Sequence, residues 1–481
     1  MDHFRATEGD VNFTPARAAW QDENLDDESR ALLMRDAGVF LHQSMSSPCV
    51  DALAGCEGPY VVNNRGQRIL DFHGNNVHQV GFSNPDVVRA MKEQLDGLSF
   101  STRRFTNEKA VTFAEKLVEL TGGALSRVLF APGATSAIGM ALKLARIATG
   151  RHKTVSLWDS FHGASLDAIS VGGEAVFRSG IGPLLPGSEH VLPYNSYRCP
   201  LGECTGCGLK CVKYLEYVLA RETDVGAVIL ETVRNTDVQV PPAEYYKEVR
   251  RLCDKTGALL ILDETAVCMG RTGKWFAYQN YDIVPDMVVC GKGLGGGVMP
   301  LAALLAREEL NVAGHVSLGH YTHEKSPVAC AAGLAAVTYI EREGLLQRTI
   351  EDGAYFRALL NRIMERHDCV GDVRGIGLLN AVELVTDRRT REPDAALAER
   401  VMYGCLADGL SFKVSQGNVL SLYPALVATR EQLSEAARII ERWICTAGDA
   451  KCDRLTVGPN SRTDRQEQGG GKAMLDHGKR T

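Results

Sequence analysis

Two groups in this chain could do chemistry as a pair, an acid and a lysine, each placed just after a short apolar run. Residues 258–262 read Ala-Leu-Leu-Ile-Leu and end in Asp263-Glu264. Gly270-Arg271-Thr272-Gly273 comes next, and residues 287–290 lead into Gly291-Lys292-Gly293-Leu294-Gly295-Gly296-Gly297. An acid at the end of one buried strand and an amine in the glycine-rich loop after the next suit pyridoxal phosphate (PLP). The lysine, Lys292, forms a Schiff base with the cofactor, and the carboxylate, Asp263, keeps the pyridine nitrogen protonated so that the ring can accept a carbanion's electrons. Glycines beside the lysine let backbone approach a flat ring. Gly291, Gly293 and Gly296 also spell a dinucleotide-binding pattern, so a nicotinamide-dependent oxidoreductase is the alternative from another class. That fingerprint needs an amphipathic helix at once, whereas residues 298–306 are an apolar run expected to be a strand. No Ser or Thr follows the lysine, as a nucleotide-binding P-loop would require.

These residues must be held by a scaffold, and the chain alternates apolar runs with helical patterns. Short, nearly continuous apolar runs occur at residues 128–130, 155–158, 225–230, 258–262, 287–290 and 301–306. Runs of that length between helices predict strands buried on both faces of a mostly parallel sheet, an α/β fold. Asn84-Pro85 and Asn107 open helices, and residues 60–72 predict a β-hairpin around Asn63-Asn64-Arg65-Gly66. A helix is expected from Asp26-Asp27 to about Gln43. The expected organisation is a flexible segment over 1–30, the N-terminal part of a small domain over 31–75, a large cofactor-binding domain over 76–327, a C-terminal small α+β domain over 328–446 and a disordered tail over 447–481.

Three further segments stand in the order such a site needs. Gly133-Ala134-Thr135-Ser136 comes after a strand and opens a helix, where backbone N–H groups and a hydroxyl make a phosphate site. Phe161-His162-Gly163 comes after another strand, and Thr322 lies in His320-Tyr321-Thr322-His323 before Ser326-Pro327. With the Asp-Glu strand end, the Gly-Arg-Thr-Gly turn and the Lys-Gly-Leu-Gly-Gly-Gly loop, the chain resembles the class III aminotransferases over roughly residues 35–445. The resemblance implies a fold type I PLP-dependent transferase, with a mostly parallel seven-stranded sheet and a smaller α+β domain. It implies Lys292 as Schiff-base lysine and proton shuttle and Asp263 as the pyridinium partner. It also implies Phe161 stacking on the ring and Thr322 reaching the phosphate of a neighbouring subunit, hence a homodimer with shared sites.

The chain departs from that family's pattern in ways that bear on the reaction. Thr265-Ala266 stands where the family commonly has Val-Gln, removing a hydrogen bond to the cofactor's phenolic oxygen. Ser421 stands where members acting on amino acids carry a carboxylate-binding Arg, and Glu231-Thr232-Val233-Arg234 replaces Glu-Pro-Val-Gln and adds a cation. His73, Asn75, Asn76, His78, Arg103, Arg104, Arg234, His320 and His323 are polar residues at the expected substrate mouth. Arg103, Arg234, His73 and His320 are the candidates to receive a dianionic head group, although each taken singly is as well read as a loop hydrogen-bonding residue. The segments 40–44, 71–81 and 319–327 resemble a subgroup of PLP-dependent ammonia-lyases acting on 1-hydroxy-2-aminoethylphosphonate. That implies loss of the hydroxyl and of ammonia from a small amine, with an ω-transaminase using a keto acid as the runner-up.

Cys199, Cys204, Cys207 and Cys211 are spaced C-x4-C-x2-C-x3-C in a glycine-containing insertion. Zinc or an iron–sulfur cluster could sit there, or four separate thiols. The chain carries 14 cysteines and no N-terminal pattern of a secretory signal, so reduced thiols in a cytoplasmic protein are expected. A formal net charge of -6 and no long apolar run predict neither a nucleic-acid nor a membrane partner.

Overall fold

The computed structural model describes residues 13–202 and 206–448. At its centre is a seven-stranded sheet in the order Arg127–Ala131, Ala302–Ala306, Met287–Cys290, Leu259–Asp263, Val225–Glu231, Lys153–Leu157, Ser188–Val191. The last five pair in parallel, while Ala302–Ala306 runs antiparallel to both its neighbours. Successive side chains of a strand point to opposite faces, and both faces are covered here. Ile229, Ile261 and Val289 pack with Ala137, Met140 and Ala141 of the helix Ala134–Thr149. Val228, Leu260, Leu262 and Val288 pack on the other side, in a cluster with Phe113, Tyr246 and Val337. That double burial is why these strands read as unbroken apolar runs.

Parallel pairing brings the carboxyl ends of neighbouring strands to one edge of the sheet. Glu231 pairs with Asp263, and Asp263 with Val289, one residue short of the Cys290 strand end and Gly291-Lys292 beyond it. After Lys292 the chain makes one short 3-10 turn, Lys292–Gly295, and then enters the strand Ala302–Ala306. These glycines thus lead into a strand rather than the amphipathic helix that a dinucleotide fingerprint requires, and the nicotinamide alternative lacks its structural context.

The two ends of the chain meet in smaller sheets. Leu53–Glu57, Tyr60–Asn63 and Arg68–Asp71 form an antiparallel meander, and the last of these pairs in parallel with Leu410–Ser411. Val370–Ile376, Leu379–Asp387, Val419–Leu422 and Lys413–Ser415 form an antiparallel sheet beside the site. Among the described residues no helix is long and apolar enough to cross a membrane.

The flexible segment expected over 1–30 requires correction from residue 14 onward. Thr14 caps a helix over Pro15–Asn24, with Pro at its first turn, and Trp20 is 5% exposed with its ring 6.2 Å from that of Tyr403. Arg17 donates to the Pro48 carbonyl at 2.8 Å. A single aromatic anchor and a good cap hold an otherwise polar helix, which composition alone conceals. The next helix, Asp27–Val39, is capped by Asp26 and stops short of the expected Gln43. Residues 449–481, most of the expected tail, lie outside the described residues.

Replacing Trp20 with Ala is expected to lower unfolding stability by about 3–5 kcal/mol, the usual cost of emptying a buried aromatic site. Urea unfolding followed by fluorescence measures it. An unchanged midpoint would contradict the docking of the N-terminal helix.

Candidate active site

A cavity of about 470 Å³ opens at the carboxyl edge of the large sheet, within the usual size of a small-molecule site. Its walls include Gly133, Ala134, Thr135, Phe161, Glu231, Asn235, Asp263, Ala266 and Lys292. Asp263 ends its strand 5% exposed. His162 Nδ1 donates to its Oδ2 at 2.9 Å, and the Thr265 backbone N–H donates to its Oδ1 at 3.0 Å, joined there by the Thr265 hydroxyl. Burial by itself would raise the carboxyl's pKa. The hydrogen bonds and charge from His162 and the bonds from Thr265 outweigh it, leaving Asp263 below its ordinary value and ionised.

Lys292 sits at φ 48°, a left-handed conformation that costs a residue with a side chain about 1–2 kcal/mol. Burial lowers the basicity of its amine, partly countered by the charges of Asp263 and Glu231. Tight packing holds the turn: a Cβ on Gly293 would come within 2.0 Å of Gln79 Oε1. Glu231, the neighbouring strand end, accepts backbone N–H bonds from Phe161 at 2.9 Å and Asn235 at 3.0 Å, while burial pushes its carboxyl above the usual range.

Across the cavity, the helix Ala134–Thr149 begins at Gly133 with no side-chain cap. Its first N–H donors and the Thr135 hydroxyl are therefore available to an anion. Gly163 stands at φ 122°, and a Cβ there would lie 2.3 Å from Thr135 Oγ1. Only glycine lets these two walls approach so closely. Phe161 lines the cavity with its ring 4.3 Å from that of Phe177. Ala266 also lines it, so the methyl that replaces a glutamine amide faces the site. An ionised acid, a weakly basic amine, an aromatic face and an open helix N-terminus around one cavity fit PLP in charge and in kind.

The other sequence candidates fall elsewhere. Arg234, expected as an added cation for the head group, is charge-paired in the structure. Its guanidinium makes a buried bidentate pair with Asp237, Nε to Oδ1 at 2.6 Å and a second short contact to Oδ2, because a carboxylate three residues on lies in its reach. His73 is half-buried beside the site, and burial followed by the charges of Lys413 and Lys292 pushes its pKa down to about 3, so it is neutral. His78 donates to the Asp71 carbonyl at 3.1 Å and stacks on Phe82, a packing role. Arg103, His320 and Thr322 are exposed and are not part of their own chain's cavity wall. Cys199 and Cys207 lie close enough to Cys211 to help burial push its thiol up to about 11. Among the described residues no group of three or more His, Cys, Asp or Glu is arranged to hold a metal, and Cys204 lies outside them. The contribution of His162 is one that sequence reasoning misses. Its place beside a glycine-lined wall carries no signal until the strand ends are brought together.

The class III aminotransferase family model matches residues 45–444, and the chain belongs to that family. It is accordingly a PLP-dependent enzyme of fold type I. It is 52% identical over 457 residues, 92% of this chain and 95% of the relative, to the (R)-1-hydroxy-2-aminoethylphosphonate ammonia-lyase of Vibrio splendidus (strain 12B01). It is 35% identical to a leucine/methionine racemase of Thermococcus litoralis, covering 78% of this chain and 86% of that one. The solved PLP-bound structure of an amine transaminase from an uncultivated Pseudomonas species matches with a TM-score of 0.81 at 31% identity, over 85% of this chain and 99% of that one.

Replacing His162 with Leu removes a donor that keeps Asp263 ionised. The acid limb of the holoenzyme's pH–rate profile is expected to move up by about one pH unit, since losing a hydrogen bond to a carboxylate raises its pKa. An acid limb that stays in place would contradict the hold of His162 on Asp263.

Proposed function

We propose that this enzyme is an ammonia-lyase that converts 1-hydroxy-2-aminoethylphosphonate into phosphonoacetaldehyde and ammonia. The observation that carries the reading is the 52% identity, over nearly the whole of both chains, to a relative of that name. The site agrees with it. Ser421 is buried, and its hydroxyl donates to the carbonyl of the cavity-wall residue Thr236 at 3.2 Å, so this position offers no guanidinium to a substrate carboxylate. A substrate without an α-carboxylate needs none.

Bound PLP supplies an electron sink for the carbon that bears the substrate's amine. Lys292 would hold it covalently, Asp263 would pair with its ring nitrogen, Phe161 would cover its face, and Gly133, Ala134 and Thr135 would receive its phosphate. Once the substrate's amine has taken its place on the cofactor, the freed amine of Lys292, its basicity lowered by burial, takes the proton from the amine-bearing carbon. The same amine returns that proton to the departing hydroxyl. The enamine released hydrolyses to aldehyde and ammonia, so the water lost in elimination is the water gained in hydrolysis, and no keto acid is consumed.

The assembly that completes this site is a homodimer. Thr322 is exposed and outside its own cavity, and its neighbour His323 has its ring 5.4 Å from that of exposed Phe100. A second copy covering that face would bring Thr322 to the neighbouring cofactor phosphate.

Supplying the holoenzyme with 1-hydroxy-2-aminoethylphosphonate and no keto acid is expected to release equal amounts of ammonia and phosphonoacetaldehyde. If neither appears, and the enzyme instead converts pyruvate to alanine with an amine donor, it is a transaminase and the lyase reading is wrong.

A further inference from the structure

The proposed substrate carries a dianionic phosphonate two bonds from the carbon that loses its proton, so a cation is needed close to Lys292. The arginines nearest this wall are already paired with carboxylates. Arg234 is bound to Asp237, and Arg374 donates to Asp372 at 2.8 Å and to Glu383 at 2.7 Å. Lys413 is different. It opens the strand Lys413–Ser415 and lies directly opposite Ser421 in an antiparallel pair. Residues so opposed send their side chains to the same face. Ser421 shows where that face points, because its hydroxyl reaches the carbonyl of Thr236, a residue of the cavity wall.

The charges around the site agree with that register. The charge of Lys413 depresses the basicity of both Lys292 and His73, so it lies within Coulombic reach of the reacting amine. Lys413 is half-buried, and among the described residues no carboxylate forms an ion pair with it. Its charge is left for an incoming anion to pair.

We infer that Lys413 is the specificity residue that receives the substrate's phosphonate, holding the head group beside Ser421 while the amine end reaches Lys292. This rests on the lyase reading above for the identity of the substrate. Neutral His73, next to it, adds a hydrogen-bonding ring without adding charge. The same ammonium makes the pocket favour phosphonates over amines with an uncharged end.

The test compares wild-type, Lys413→Met and Lys413→Arg holoenzymes with matched PLP content and thermal midpoints. Methylphosphonate binding is followed by calorimetry, and kcat and KM are measured on 1-hydroxy-2-aminoethylphosphonate. Losing one charge-assisted contact is expected to weaken methylphosphonate binding and raise KM by about 10- to 100-fold in Lys413→Met, with a much smaller change in kcat. Lys413→Arg should keep most of the affinity. Competition by 1-amino-2-propanol, which has a methyl in place of the phosphonate, should not weaken in Lys413→Met. Equal methylphosphonate affinity in wild type and Lys413→Met overturns the inference, even if the wild type releases ammonia from the aminophosphonate. If the wild type releases none, the lyase reading fails, and the methylphosphonate comparison still decides whether Lys413 binds the anion.

Discussion

The rest of the site depends on keeping one largely buried carboxylate ionised. Asp263 is buried, and an unsupported carboxylate there would take up a proton. Two neighbours prevent this, His162 on one oxygen and Thr265 on the other. The charge thus fixed is felt at Lys292, where burial works in the opposite direction and favours the neutral amine. One wall therefore holds a negative charge and the other an amine whose basicity burial lowers.

The sheet makes this possible through register. Because Glu231, Asp263 and Val289 lie side by side in parallel strands, the loops beyond them open on the same edge. The helix Ala134–Thr149, packed across one face of that sheet, points its uncapped N-terminus at the same cavity. The C-terminal sheet meets that cavity at Thr236, where Ser421 donates to the backbone carbonyl and Lys413 lies opposite Ser421 on the adjacent strand.

How much of this can be read from the chain depends on how local the cause is. Asp263 and Lys292 are legible because each stands at the end of an apolar run, and apolar runs in alternation with helices imply a shared sheet edge. Thr135 is legible because a helix start is a local event. Arg234 misleads because its partner, Asp237, lies three residues away in a turn whose conformation no periodicity announces. Lys413 gives no signal, since its relation to the site depends on pairing with Ser421 in a sheet whose register arises only on folding. The helix Pro15–Asn24 escapes notice because a single buried Trp20 anchors it, too little to shift the composition of a polar segment. Arg103, His320 and Thr322 group with the site by chain order, whereas within one chain they lie on an exposed surface.

Everything proposed for this enzyme requires that the cofactor be bonded to Lys292 rather than to another amine. The direct measurement is borohydride reduction of the holoenzyme, proteolysis and mass spectrometry of the modified peptide. The pyridoxyl group is expected on Lys292, in the peptide containing Gly291 and Gly293. Finding it on Lys413 or any other lysine, or finding no covalent adduct at all, would contradict the account.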